Sequence, residues 1–244
     1  MPARKPKFDW SLLDRYALYD YFQQIKDQIV GQVLAPDEFH KIVSRHIKRQ
    51  LPVRVAKKYD LAVQDNWVWV GGTYFSDYDE RKQKCIQVDI VYNMLDEHIN
   101  YNRARFNRFC ITLSDVILHE IIHMRQYRRR GWKMLPDYAS TAEKTEQRNQ
   151  QSYYGCTDEI DAYAFNIACE LLRRFKNDQT AVEHYLSITP NRRSVASHSL
   201  KNYLKAFNWD YDHPIIKRLK SRTIRYLPNA IIGKPYRNRD WINH

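Results

Sequence analysis

The chemically most informative segment of the chain is His119-Glu120-Ile121-Ile122-His123. Two histidines four residues apart on a helix point both imidazole rings toward the same place. Neutral imidazole nitrogen is a good zinc ligand, so this spacing predicts a site for a zinc ion (Zn2+). Glu120 lies about a quarter-turn from the ligand face, where its carboxylate can take a proton from water at the metal. The pattern predicts metal-assisted hydrolysis with Glu120 as general base.

A buried helix is expected to carry this motif. Ile117, Ile121 and Met124 fall on the side of the helix opposite the two histidines, where they would face the core. One face of the helix is therefore predicted to be anchored in the protein while the ligand face opens into a cleft.

Two histidines leave the metal short of a protein ligand, because catalytic zinc normally has three. The continuation HExxHxxGxxH is absent, since Gln126 and Arg129 stand where it requires glycine and histidine. Acidic residues are the better candidates. Asp158, Glu159 and Asp161 open a predicted helix, and each could instead be a first-turn acid stabilised by the helix dipole.

The HExxH motif followed by Glu159 resembles the gluzincins, zincin metallopeptidases in which a glutamate on a second helix completes the site. The chain is also loosely similar to small intracellular or phage-type HExxH proteins that carry the signature E-x-[DE]-A-x-x-[FY]-A. The residues that match this signature are Glu159, Asp161, Ala162 and Phe165, with Asn166 at its last position. The resemblance covers about residues 84–175 and implies a zincin-like fold with Glu159 as the third zinc ligand.

Hydrolysis of a peptide bond also needs a donor for the developing oxyanion. Tyr153, Tyr154 and Tyr163 lie near the third-ligand segment in sequence, and Tyr154 is our candidate catalytic tyrosine. Because the chain has 18 tyrosines, packing is the alternative role for each of them.

In zincins the strand before the active helix is commonly the sheet edge that holds an extended peptide. Cys85–Tyr92 is the matching segment here, and backbone pairing along it would bind a peptide substrate. Residues 133–156 form a polar excursion that could cover the cleft as a lid.

The hydrophobic pattern predicts helices first, then strands, then more helices. The expected helices run from Trp10 to about Val30, from Pro36 to about Gln50, from Thr112 or Ser114 (as N-cap) to about Arg130, from Thr157 to Lys176, and over 179–187, 196–208 and 213–222. The expected strands are Pro52–Ala56, Trp67–Phe75 and Lys84–Tyr92, with a bulge or bend at Gly71-Gly72 and a hairpin turn around 77–80. A loose basic arm (residues 1–8) and an extended basic tail from Arg225 complete the pattern.

This order predicts the α+β class with a zincin-like arrangement, in which a small mixed sheet packs on the HExxH helix beside additional helices. We expect an N-terminal helical segment (1–50), a catalytic core (51–178) and a C-terminal helical and basic extension (179–244), joined in one compact unit.

The net charge of +12 and the isoelectric point near 9.5 favour contact with polyanions. Two clusters hold many of the cations: Arg125, Arg128, Arg129, Arg130 and Lys133, then Lys217, Arg218, Lys220, Arg222 and Arg225. The helix dipole alone favours some of them. Sequence-independent binding of nucleic acid or another polyanion is the functional alternative.

Four cysteines without a CxxC pair exclude a zinc ribbon and favour a reducing compartment. No apolar run follows the basic N-terminus, so a secretory signal is not expected, and neither is a transmembrane helix. We expect a cytoplasmic protein or one in a viral particle.

The leading hypothesis is a zinc-dependent metallopeptidase that acts on a protein or peptide substrate. The first alternative is a catalytically silent, zincin-fold basic protein with a structural or nucleic-acid-associated role, such as a component of a viral particle. The second is a nucleic-acid-binding domain without metal. The intact Glu120 favours the enzyme, because an inactive site would be free to lose it.

Overall fold

The computed structural model describes residues 15–76, 84–131, 133 and 146–230. The helices are α1 (Arg15–Gln23), α2 (Pro36–Gln50), α3 (Arg103–Arg129), α4 (Glu146–Gly155), α5 (Thr157–Arg174), α6 (Gln179–Ser187), α7 (His198–Ala206) and α8 (Pro214–Ala230). The strands are β1 (Val33–Leu34), β2 (Val53–Tyr59), β3 (Val68–Tyr74), β4 (Ile86–Tyr92) and β5 (Ile99–Asn100). The predicted α+β class is confirmed. The predicted basic arm, the turn around 77–80 and residues 134–145 of the predicted lid lie outside the described residues. The described part of the lid segment contains α4, a helix that the sequence pattern did not predict.

Contacts divide the chain into two compact units, the first ending at Ile121 and the second beginning at Ile122, within α3. The proposed division into three sequence segments stays a prediction. None of the described helices is long and apolar enough to cross a membrane.

The larger sheet of the first unit has the strand order β2-β4-β3. β4 pairs in parallel with β2 and antiparallel with β3. The prediction that Cys85–Tyr92 forms a sheet edge is therefore wrong, because β4 is paired on both sides. Five of its seven residues are buried, as is typical of a central strand with both faces covered.

The core of the first unit forms where α2 packs on this sheet. Phe39 of α2 meets Tyr92, Tyr101 and Phe109 edge-on, with ring centroids 6.2, 5.3 and 5.3 Å away. Such edge-to-face contacts add to the stabilisation from burying the rings. The predicted first helix is interrupted, since α1 ends at Gln23 and a short 3-10 turn covers Lys26–Gln28.

The two adjacent glycines of β3 do not form the predicted bulge. Gly71 pairs with Asp89 and Gly72 with Val88 in an uninterrupted register. Gly72 is instead a site of close approach, because a Cβ atom there would lie 2.7 Å from Cγ1 of Val116 in α3. Glycine in a strand allows such an approach of a neighbouring element.

The HExxH helix begins earlier than the sequence pattern suggested. The side chain of Asn102 accepts a hydrogen bond from the backbone N–H of Arg105 (2.9 Å), as an N-cap residue does. Thr112 and Ser114, the predicted N-caps, are helix-interior residues whose hydroxyls donate to carbonyls one turn earlier, at 3.0 and 2.8 Å. Ser and Thr side chains can form this bond inside a helix as well as cap its start. Residue type alone therefore gave the wrong start for α3.

The second unit is built around α5, which packs most extensively on α8. Ile160, Ile167 and Leu171 of α5 are buried together with Ile216 and Leu219 of α8. The predicted helices over 157–176, 179–187, 196–208 and 213–222 are all present, with shifted ends.

The last of these helices is longer than predicted. α8 continues to Ala230 and includes Pro228, so the expectation of an extended chain from Arg225 is wrong as far as residue 230. Leu227 and Ala230 are buried in the core of the second unit, and this burial stabilises the final turn. Residues 231–244 lie outside the described part.

Candidate metal centre

Both histidines of the motif are buried on α3. His119 and His123 each expose 7% of their surface. On the other side of the helix, Ile117, Ile121 and Met124 are buried as the sequence predicted. The helix is therefore anchored by its apolar residues while it presents two imidazoles one turn apart.

The third member of the site comes from the first turn of α5. One potential ligand atom from each of His119, His123 and Glu159 lies within 4.8 Å of the other two, and all three residues are buried. In the part of the chain that the structure describes, this is the one group of three such side chains close enough to share a metal ion. The fold thus brings together the three residues that the sequence nominated.

The donor set fits zinc in type and spacing. Nε2 of His123 and Oε1 of Glu159 are 3.4 Å apart. Two ligand atoms about 2.1 Å from a tetrahedral zinc ion are separated by about 3.4 Å. A buried carboxylate is costly to ionise unless a cation lies nearby, and a divalent ion between these atoms would meet that need.

The neighbouring acids are directed elsewhere. The carboxylate of Asp158 accepts two hydrogen bonds from the guanidinium of Arg130, both at 2.6 Å. Asp161 lies 3.5 Å from the side chain of Arg222 and is partly exposed. Of the three acids that open α5, Glu159 alone joins the histidine cluster.

The candidate base Glu120 is also buried, with 6% exposure. It directly follows His119 on α3 and lies against strand β3 of the same compact unit. A Cβ atom at Gly72 would be 2.6 Å from Oε1 and 2.8 Å from Cγ of Glu120. The bare backbone of residue 72 therefore leaves the space that this carboxylate occupies.

Gln126 is a contact of the site that the sequence did not reveal. Its side-chain oxygen is 3.0 Å from Nδ1 of His123, and its nitrogen donates to the carbonyl of Asp158 at 3.0 Å. In the sequence, Gln126 was noted only because it stands where the HExxHxxGxxH pattern requires glycine. The available signal was its position three residues after His123, where helical side chains meet.

A group of tyrosines surrounds Glu159. The Tyr154 ring lies 5.3 Å from the ring of Tyr153, 5.5 Å from Tyr163 and 4.5 Å from Tyr203. Burial raises the pKa of Tyr154, the nearby Glu159 charge raises it further, and a hydrogen bond with Tyr163 opposes the rise.

Tyr153, rather than Tyr154, hydrogen-bonds to Glu159. Burial of its hydroxyl raises the pKa of Tyr153 well above its usual range, and the Glu159 charge adds to the rise. The catalytic role assigned to Tyr154 stays a prediction, and Tyr153 interacts with the candidate ligand Glu159.

Comparisons of the chain with protein-family models, with curated proteins and with solved structures give no significant match. The function is therefore argued from the chain's own residues.

Proposed function

We propose that this protein is a zinc metallopeptidase whose metal is held by His119, His123 and Glu159. The observation that carries the proposal is the buried convergence of these three side chains from two helices. Metal sites of this composition with an open fourth position are typical of catalytic zinc. The intact and buried Glu120 next to His119 supplies the base that hydrolysis requires.

A bound zinc ion would supply Lewis-acid chemistry by lowering the pKa of water and polarising the scissile carbonyl. Glu120 accepts a proton from the water whose oxygen attacks the carbonyl carbon. It then delivers that proton to the amine nitrogen as the C–N bond breaks. Tyr153, Tyr154 and Tyr203 lie within electrostatic reach of Glu159 and are candidate hydroxyl donors on that side of the site.

Strand β3 supports a peptide as the substrate. Among the described strands it pairs only with β4, so it lies at an edge of the described sheet, where an added strand can form hydrogen bonds with its backbone. β3 also passes directly against Glu120 at Gly72. An extended peptide added to this edge would run beside the general base. In this proposal β3 is the peptide-binding edge strand, instead of the segment Cys85–Tyr92 that the sequence suggested.

The experiment compares the wild-type protein with Glu120→Gln. Metal analysis of the purified protein should show about one equivalent of zinc in both, since Glu120 is not a ligand. Hydrolysis of unfolded protein substrates should fall by about 10²–10⁴-fold in the variant, the usual contribution of a general base. Glu97→Gln makes the same change at an exposed position and should keep full activity.

Two outcomes count against the peptidase. Less than about half an equivalent of zinc in the wild type would contradict the metal site. A zinc-loaded wild type without hydrolytic activity on any protein or peptide tested would support the catalytically silent alternative.

Nucleic-acid binding is a second candidate function, supported by a cationic surface on the second unit. Arg125 and Arg129 are exposed one turn apart on α3. Tyr226 of α8 lies within electrostatic reach of both and of Arg222. Burial and the Asp161 charge raise the pKa of this tyrosine, and the three arginines oppose the rise. We call Arg125, Arg129, Arg222 and Tyr226 the arginine face. Cations for phosphates and a ring for stacking suit a single-stranded nucleic acid.

Arg125 of the arginine face lies on the side of α3 opposite His123. Arg125 is two residues beyond His123, which corresponds to about 200° around a helix. Nucleic acid on this face would therefore leave the ligand side of α3 open, and binding should be separable from hydrolysis.

The test uses the double variant Arg125→Gln/Arg129→Gln and a labelled single-stranded DNA of mixed sequence. Loss of two phosphate contacts should weaken binding and reduce the salt dependence of the affinity by about 1.4 in log–log slope. Lys41→Gln/Arg45→Gln removes equal charge from two exposed positions one turn apart on α2 and should leave binding nearly unchanged. If the two double variants weaken binding equally, net charge alone explains the binding. That result would contradict a defined binding face.

A further inference from the structure

The side chain of Gln126 bridges the two helices that carry the candidate metal ligands. It is buried, with 9% exposure, and lies between the ring of His123 on α3 and the backbone of Asp158 on α5. Asp158 directly precedes Glu159, so one amide group contacts one candidate ligand and the residue next to another.

The contact with Asp158 decides how the amide of Gln126 is oriented. The carbonyl oxygen of Asp158 can only accept a hydrogen bond, so the group that faces it at 3.0 Å must be the amide nitrogen. The amide oxygen of Gln126 then faces Nδ1 of His123, also at 3.0 Å. The orientation follows from the chemistry of a backbone carbonyl, which has no donor form.

The orientation of the amide in turn decides which nitrogen of His123 carries the proton. An amide oxygen has no proton to donate, so Nδ1 must be the donor in the bond to Gln126. In the neutral imidazole the lone pair is then on Nε2. Nε2 is the atom that faces Oε1 of Glu159 at 3.4 Å, on the side where a metal would lie.

A second bridge holds the same turn of α5. The guanidinium of Arg130, the residue directly after the end of α3, forms two parallel hydrogen bonds with the carboxylate of Asp158, each at 2.6 Å. Paired N–H···O bonds of this kind restrict orientation as well as distance. Gln126 holds the backbone of Asp158 and Arg130 holds its side chain, so the position of Glu159 relative to His123 is fixed from the preceding residue.

We infer that Gln126 is a positioning residue of the metal centre, which selects the Nδ1–H tautomer of His123 and holds the turn that carries Glu159. The inference rests on the proposed metal site and adds a component to it. Partners of this kind behind a metal-binding histidine typically change metal affinity by about 10–100-fold when they are removed. The Arg130–Asp158 pair also holds this turn, whereas the tautomer of His123 depends on the amide of Gln126.

The primary experiment reads the tautomer in the full-length, metal-free protein. Two-bond 1H–15N correlation spectra distinguish a protonated Nδ1 from a protonated Nε2 in each neutral histidine. The wild type should show His123 protonated at Nδ1. Gln126→Leu, which removes both hydrogen bonds at similar size, should populate the Nε2–H form. Gln126→Glu keeps an acceptor for Nδ1 and should restore the wild-type tautomer.

Zinc affinity, measured by competition with a chromophoric chelator, is the second readout. Gln126→Leu should bind zinc about 10–100-fold more weakly than the wild type. Gln151→Leu is the matched control, because Gln151 also donates to a backbone carbonyl, that of Ala206 at 2.9 Å, away from the histidines. Asp158→Asn should lower stability without changing the tautomer, since it keeps the backbone carbonyl that orients Gln126.

The outcomes separate this inference from the proposed function. A wild type that binds no zinc contradicts the metal site itself. A wild type that binds zinc, together with a Gln126→Leu variant of unchanged tautomer or unchanged zinc affinity, overturns the positioning role alone. If Gln151→Leu loses zinc to the same degree as Gln126→Leu, the loss reports general destabilisation, and the role of Gln126 is refuted.

Discussion

Gly72 of β3 and Glu120 of α3 occupy adjoining space in the first unit, because residue 72 has no side chain. A Cβ atom on Gly72 would come within 2.6 Å of Oε1 of Glu120, closer than non-bonded atoms allow. The strand can therefore lie directly against the candidate base. This contact explains a glycine in the middle of a strand with regular pairing, where glycine otherwise weakens the sheet.

The first prediction follows from this contact. Gly72→Ala should displace the Glu120 side chain and lower hydrolytic activity at least tenfold, at a stability cost of about 1–3 kcal/mol for overpacking. Zinc content should be unchanged, because the metal ligands are other residues. Gly71→Ala is the control, since its Cβ would meet only Cβ of Asp89, at 3.9 Å. Equal losses of activity in both variants would show that the steric account is wrong.

The second prediction concerns the identity of the third ligand. Glu159→Gln should reduce bound zinc to well below one equivalent after dialysis, since the neutral amide is a poor zinc ligand. Asp161→Asn, on the same helix, should retain zinc because Asp161 lies beside Arg222. Metal analysis of the two dialysed variants makes the comparison. Zinc retained by Glu159→Gln and lost by Asp161→Asn would reverse the assignment.

The third prediction separates the tyrosines. Tyr153→Phe removes the hydroxyl that hydrogen-bonds to Glu159, and zinc affinity should fall by about tenfold or more. Tyr154→Phe should spare zinc affinity, and it should lower kcat if Tyr154 donates to the oxyanion. Chelator competition and steady-state kinetics on both variants provide the measurements. A larger loss of zinc affinity in Tyr154→Phe would contradict the contact that the structure shows.

The fourth prediction is a loss of stability at mildly acidic pH through His46 of α2. This histidine is 5% exposed; its ring stacks on Tyr21, with centroids 4.0 Å apart, and its Nε2 is 2.7 Å from the Tyr21 carbonyl oxygen. Burial lowers the pKa of His46 below its usual 6.5 and Arg49 also lowers it, while the bond to the Tyr21 carbonyl opposes the shift. Burial also lowers the pKa of His40, and Lys57 and Lys48 add to that effect.

The sign of the effect follows from proton uptake. Below pH about 6.5 the unfolded chain binds protons at these histidines that the folded chain does not bind, so stability falls as the pH falls toward the folded pKa values. Each histidine contributes a slope of at most about 1.4 kcal/mol per pH unit. Urea unfolding at pH 7.5 and 5.5 should show a smaller difference for His46→Gln than for the wild type. An unchanged difference would remove His46 as a source of the pH dependence.

The sequence by itself identified the features that depend only on residues close together in the chain. The spacing of His119 and His123 is a property of one helix, and so is the burial of Ile117, Ile121 and Met124 behind them. The helix that begins at Thr157 was also recognisable, because its apolar residues recur at helical spacing. The α+β order followed from the same periodicity.

Only the tertiary structure decided between residues that are equivalent in sequence. Three acids open α5, and the packing of α3 against its first turn directs Asp158 to Arg130 and Glu159 to His123. Likewise, β4 became the central strand because it pairs with both β2 and β3, which no periodicity within β4 encodes. Strand order and contacts between helices depend on residues far apart in the chain, whereas hydrophobic periodicity reports only the immediate neighbours. For that reason the ligand helix was visible in the sequence, and the contact of Gly72 with Glu120 and the bridge made by Gln126 appeared only in the fold.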